Sequence, residues 1–179
     1  KGAKFYFEED RRDDPTFRYR ADLMRGIPSM TEYSVLNWGG ANGAHTDFSP
    51  ISAVTGAEAM KQYVMIRDRM HEYGFDYVGE FLEGWREMHH IAFLLYDRMN
   101  EEECARGAEL FRLLIDDAAA EGYGEYRTHL DYMDQIAGTY DWNDGALFRL
   151  HERIKDGLDP DGILSPGKMG IWPAAMRKA

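Results

Sequence analysis

Tyr126 and Arg127 stand side by side in GYGEYRTHLDYMDQ, and the two side chains are of types that can hold a phenol. A guanidinium charge and a tyrosine hydroxyl brought to one oxygen favour its anionic form, by opposite charge and by hydrogen bonding. A free phenol loses its proton only at a pKa of about 10. Neighbours in a regular strand point to opposite faces, so the pair meets one atom only where the backbone leaves strand geometry, at a bulge or a strand end. Gly122 and Gly124, just upstream, permit such a departure. Without it, the two residues are ordinary packing and surface chemistry.

Other residues offer weaker chemistry. Glu80 lies within FDYVGEFLEG, between the apolar Val78 and Phe81. On a partly buried sheet surface its pKa would rise and it would serve as a proton acceptor or hold a water. Period-two alternation fits an outward-facing charge equally well. His45 follows a glycine-bearing turn in NGAHTDFSP, and composition alone makes it a turn or edge histidine. His89 and His90 are adjacent on an expected strand, so they face opposite ways and cannot chelate one metal; one should be buried and hydrogen-bonded, the other at the surface. No HExxH, Walker or GxSxG pattern occurs, which leaves zincin, nucleotide-kinase and serine-hydrolase readings without support. No metal is expected.

The totals exclude further classes. The chain has 179 residues, 44% of them hydrophobic and 30% charged, enough for one domain with a core. A net charge of -11 argues against nucleic acid, whose phosphates call for clustered Lys and Arg. No apolar run approaches the roughly 20 residues that span a bilayer, so no membrane is expected. The single cysteine, Cys104, provides no intrachain disulfide, and a cytoplasmic location is expected. The chain opens on Lys1 rather than methionine, through the irregular charged stretch EEDRRDDP, and is expected to be part of something larger.

These residues need elements to hold them. Ser29 and Glu32 have capping-box spacing and start a short helix. The segment 45–54 is rich in strand formers but interrupted by Pro50, an edge strand or one with a bulge. Thr55 and Glu58 cap a helix that ends at Gly74; 75–84 and 89–98 form a hairpin; Asn100 and Glu103 cap a second helix that ends at Gly122; and 123–128 is extended again. The order strand, helix, strand, strand, helix, strand is a ferredoxin-like antiparallel sheet with helices on one face, an α+β fold. Leu147, Leu150, Ile154 and Leu158 mark an amphipathic helix capped near Asn143 or Asp144. DPDGILSPGKMGIWP then follows, a turn-rich tail with three glycines and three prolines. The expected division is an irregular lead-in over 1–44, the α+β layer over 45–128, and a helical and turn-rich tail over 129–179.

NGAHTDFSPISAVTG, REMHHI, GYGEYRTHLDYMDQIAGTYDWND and DPDGILSPGKMGIWP together resemble, in order and at similar spacing, segments of the vanillyl-alcohol oxidase and 4-cresol dehydrogenase flavoprotein family. The resemblance runs from about Gly26 to Pro173 and implies the substrate cap of an FAD-dependent enzyme oxidising para-substituted phenols. In such an enzyme the phenol binds as phenolate, a hydride leaves the benzylic carbon for the flavin, and the quinone methide is captured by water or rearranges. Tyr126 and Arg127 match the phenolate-binding pair, with Arg127 also placed to stabilise negative charge on reduced flavin. His45 matches the histidine that carries FAD covalently in the oxidase branch, and Leu36 stands where the dehydrogenase has its linking tyrosine, so the resemblance favours attachment through His45. Glu80 matches an acidic active-site residue of the dehydrogenase branch. Glu32, Asp47 and Ile91 fall at pocket positions, Asp47 in place of a large aromatic group. Lys168 matches a basic residue near the flavin.

The same resemblance places an FAD-binding domain before Lys1, against which the tail would pack, so this chain alone is expected to bind FAD poorly and not to turn over. It further implies a homodimer and an electron acceptor that is either oxygen or a cytochrome c, the latter fitting a periplasmic location. The reading from a different class is a non-catalytic ferredoxin-like ligand-binding or dimerisation module.

Overall fold

The computed structural model describes residues 15–38 and 42–177, without the side chains of residues 15–17 and 32. The side chain of Glu32, a pocket position by resemblance, therefore lies outside the described residues. Helix α1 (Pro15–Met24) comes first. Its signal in the sequence is Pro15 at the first helical position, where a missing N–H costs nothing. The helix expected from Ser29 is instead a 3-10 turn, Thr31–Asn37, with Met30 at its N-cap and no side-chain cap; Ser29 Oγ accepts from the Thr31 N–H at 3.2 Å, one residue short of a capping box.

The α+β layer follows with β1 (Gly43–Phe48), β2 (Pro50–Ser52), α2 (Gly56–Glu72), β3 (Val78–Glu83), β4 (Met88–Asp97), α3 (Glu101–Ala120) and β5 (Gly124–Glu125). Both expected caps form: Thr55 Oγ1 accepts from the Glu58 N–H and Asn100 Oδ1 from the Glu103 N–H, each at 3.2 Å. Gly74 and Gly122 follow the two helices with φ of 75° and 80°, the left-handed conformation that glycine adopts without steric cost.

β4 is central. It pairs antiparallel with β3 on one side and with β1 and β2 in succession on the other, and β2 also pairs antiparallel with β5. With β1 and β2 taken as one strand broken at Ser49, the order is the ferredoxin-like one and the layer is α+β as expected. The segment at 45–54 is thus an edge strand over β1, which pairs only with β4, and an inner strand over β2; it breaks at Ser49 without a bulge, since Phe48 opposite Ala92 and Ile51 opposite His89 keep one register. The last strand is shorter than the expected 123–128, since its ladder ends at Glu125.

The core lies between one sheet face and the two long helices. Phe48, Ala92 and Leu94 meet Ile66 and Met70 of α2 and Leu110, Phe111, Leu114 and Ile115 of α3. Phe111 packs edge-on to Phe48 with centroids 5.6 Å apart and stacks on Tyr132 at 4.2 Å. Arg69 of α2 donates two hydrogen bonds to Asp117 of α3, at 2.7 and 3.3 Å. Tyr132 closes a short 3-10 turn that leads into α4 (Met133–Gly138).

Helix α5 (Trp142–Leu158) begins with Asn143, Asp144 and Gly145 in left-handed conformation, so the turn expected as its cap is a backbone reversal. None of its residues is buried, and the stripe Leu147, Leu150, Ile154 and Leu158 is exposed. A cleft of about 870 Å³ opens beside it, lined in part by Phe148, Glu152, Gly170 and Trp172.

Candidate functional site

Strand register decides which side chains share the sheet face turned away from α2 and α3. His45 opposes Leu95, Asp47 opposes Phe93, Glu80 opposes Ile91, and Ile51 and Leu82 both oppose His89. Four expected site residues, His45, Asp47, Glu80 and Ile91, therefore lie on one face. The core residues Ala92 and Leu94 alternate to the other.

Tyr126 and Arg127 join this face because β5 stops just before them. At the break between β1 and β2 the Ser49 backbone faces the end of β5: its N–H donates to Glu125 Oε1 at 3.2 Å, and its carbonyl accepts from the Tyr126 N–H at 3.3 Å. Past that point the chain bends and alternation lapses. The Arg127 guanidinium lies 5.4 Å from the Tyr126 ring centroid and 3.6 Å from Asp47 Oδ2. Asp47 Oδ1 is 3.6 Å from His45 Nε2. Tyr126 meets His89 edge-on at 4.3 Å, and His45 lies 6.4 Å from Phe93.

Burial raises the Asp47 pKa above its ordinary value, while the His45 and Arg127 charges pull it back. The face thus combines a cation, a phenolic hydroxyl, a carboxylate, two imidazoles and an apolar floor at Ile91, which is buried. Such a set can orient an aromatic ring and hold an oxyanion.

Two expectations fare differently. Glu80 is on this face and exposed, the outward-facing one of its two readings, since β3 is an outer strand with its outward groups in solvent. Lys168 is exposed on the 3-10 turn Lys168–Gly170 against α4, and among the described residues no hydrogen bond, ion pair or ring contact joins it to the face. The paired histidines divide as expected. His90 is fully buried, its Nε2 2.7 Å from the Tyr77 hydroxyl, and burial lowers its pKa to about 4; His89 is half-buried on the open face.

The sequence reading passed over Glu125. It is buried, and the loss of water pushes its carboxyl up to about 8, while the Ser49 N–H, Thr128 and Arg127 offset part of that rise. Its signal was available: opposite Pro50, it occupies the alternation position facing away from Gly124.

A ferredoxin-like sheet with one face sealed by helices and the other bearing converging charged and aromatic groups is a cap layer. Over residues 4–169 the chain matches FAD linked oxidases, C-terminal domain, and it belongs to that family. It is 41% identical over 165 residues to the 4-cresol dehydrogenase (hydroxylating) flavoprotein subunit of Pseudomonas putida, covering 92% of this chain and 31% of that protein. Among solved structures it resembles 4-ethylphenol oxidase from Gulosibacter chungangensis in its isoeugenol complex, with a TM-score of 0.88, 40% identity, and coverage of 99% of this chain and 35% of the other. Substrate-bound p-cresol methylhydroxylase gives a TM-score of 0.81 at 39% identity, over 92% and 31%. The chain thus spans about a third of the length of these relatives. FAD is the cofactor named by the family, and no described helix is long and apolar enough to cross a membrane.

Proposed function

We propose that this chain is the substrate-cap portion of an FAD-dependent oxidoreductase acting on para-substituted phenols. The observation that carries the reading is the convergence of Arg127 and Tyr126 on the sheet face that also holds His45 and Asp47. The face suits a flat aromatic group: it lies away from the helices, presents Leu82 and Tyr126 to solvent, and contains in Asp47 Oδ1 a buried acceptor without a hydrogen-bond partner among the described residues.

When bound, FAD supplies the hydride acceptor. Arg127 and Tyr126 hold the phenol oxygen as phenolate, by charge and by hydroxyl donation. The electron pair of that oxygen compensates the hydride leaving the benzylic carbon, which leaves a quinone methide. Glu80, on the same face and open to solvent, directs the water that captures it. His45 would be the attachment point for the flavin, with the Asp47 carboxyl 3.6 Å from its imidazole. The exposed stripe of α5 and the neighbouring cleft are the seat of the FAD-binding domain, which gives the tail over 129–179 its apolar partner. Oxygen or a cytochrome c takes the electrons.

The test is steady-state turnover of the full-length flavoprotein on 4-ethylphenol and p-cresol, with oxygen and with an artificial acceptor. Arg127→Met should lower kcat/KM by about 10² to 10³, the usual loss for one charge-stabilising group. Unchanged turnover would refute the reading. Acid precipitation should leave a yellow pellet that becomes colourless in His45→Ala.

A further inference from the structure

We propose that Glu125 is the positioning residue for the Tyr126–Arg127 pair: its buried carboxyl clamps the end of β5 to Ser49, at the break between β1 and β2, and so turns two consecutive side chains onto one face. The inference rests on the phenolate reading above and adds to it a residue that touches neither the phenol nor the flavin.

Three observations meet at this carboxyl. Glu125 is 4% exposed, and its Oε1 accepts the Ser49 N–H across 76 residues of sequence. Oε2 is buried, with Thr128 as the other polar group beside the carboxyl. The Glu125 backbone is held separately, its carbonyl accepting from the Tyr140 hydroxyl at 3.0 Å. The side chain therefore acts on Ser49, while Tyr140 fixes the strand.

The charge state matters as much as the clamp. The charged and titratable groups facing Glu125 are Arg127 and Asp47, with the Tyr140 hydroxyl on its backbone and Ser49 and Thr128 as polar neighbours. While neutral, Glu125 does not compete for Arg127, whose charge stays available to a phenolate. Once ionised, at a pKa that burial raises to about 8, it becomes a second anion beside Asp47 and draws on the same guanidinium.

The experiment measures binding of 4-hydroxybenzaldehyde to the full-length flavoprotein across pH, following the phenolate absorbance, in wild type, Glu125→Gln, Glu125→Ala and Arg127→Met. Phenolate affinity in wild type should weaken several-fold as pH rises through about 8. Glu125→Gln, a neutral isostere, should keep the neutral-pH affinity within about twofold and lose that weakening; Glu125→Ala should lose about tenfold or more at every pH, since the clamp is gone. The proposal is overturned if Glu125→Gln retains the wild-type pH dependence, or if Glu125→Ala binds as tightly as wild type. If Arg127→Met binds phenolate as well as wild type does, the underlying reading has failed instead, and the Glu125 proposal falls with it.

Discussion

Asp47 sits between the two most chemically active groups of the open face, 3.6 Å from Arg127 and 3.6 Å from His45. Replacing it with asparagine keeps the shape and removes one negative charge. At 3.6 Å in a water-like dielectric, an ion pair is worth about 1 kcal/mol. The side chains of Arg127 and Asp47 are 55% and 21% exposed, so this water-like value, rather than a buried-pair value, applies, in line with the ~0.2–1 kcal/mol measured for exposed pairs. A phenolate next to Arg127 gains what Asp47 no longer takes, and the expected result is phenolate binding tighter by up to about fivefold. The assay is titration of the full-length flavoprotein, at weakly basic pH where Asp47 is ionised, with an unreactive phenol and with its methyl ether. The ether cannot become an anion and serves as the control for shape. Equal or weaker phenol affinity in Asp47→Asn, or an equal gain for the ether, would show that Asp47 does not govern the charge available at Arg127.

Three further outcomes follow from burial. Glu125 is neutral in the fold and ionised in the unfolded chain between pH 4.5 and about 8; its contribution to stability should decline by about 1.4 kcal/mol per pH unit as pH rises through that window and be constant above it, and denaturant titrations of Glu125→Gln should lack the decline. His90 is neutral in the fold and protonated in the unfolded chain between pH 6.5 and about 4, so its contribution is lost as pH falls through that window; because the two slopes offset where the windows overlap, the acid-side loss should emerge most clearly in a Glu125→Gln background and vanish when His90→Gln is added. Phe111, fully buried between Phe48 and Tyr132, should cost about 3–5 kcal/mol on truncation to alanine, read as a lower denaturation midpoint; a loss below about 1 kcal/mol would mean that the core does not depend on this ring.

What could be read from the sequence was what depends on neighbours in the chain. The caps at Thr55 and Asn100 bond to residues three positions on, and the βαββαβ order follows from where those helices start and stop. The placement of His45, Asp47 and Glu80 on one face also follows from period-two alternation once the strands are assigned. Whether Tyr126 and Arg127 converge could not be read, because it depends on where the β5 ladder ends, beside Ser49 far away in sequence. Alternation likewise gives a face without saying what covers it, so it left Glu80 open between a partly buried and an outward-facing position, and the outward one is observed. Glu125 was missed because an acid beside the conspicuous YR pair reads as a surface charge, although its position opposite Pro50 faces away from Gly124.

The stability of the core and the geometry of the face are fixed by the same strand. β4 carries Ala92 and Leu94 into the core and Ile91 and Phe93 onto the open face, and both β1 and β3 are registered against it. A one-residue slip of either neighbour would exchange its two faces: in β1 it would carry Phe48 out of the core and bring His45 and Asp47 toward the helices. Burying two titratable groups while exposing a fully buried phenylalanine costs several kcal/mol, comparable to the whole stability of a small domain. The alternation that hides Phe48 against Phe111 is therefore what presents His45 and Asp47 to Arg127. Substitutions in the core that loosen this register should damage the site before they unfold the chain, with Phe48→Ala weakening phenolate binding in full-length protein that still retains its helical content.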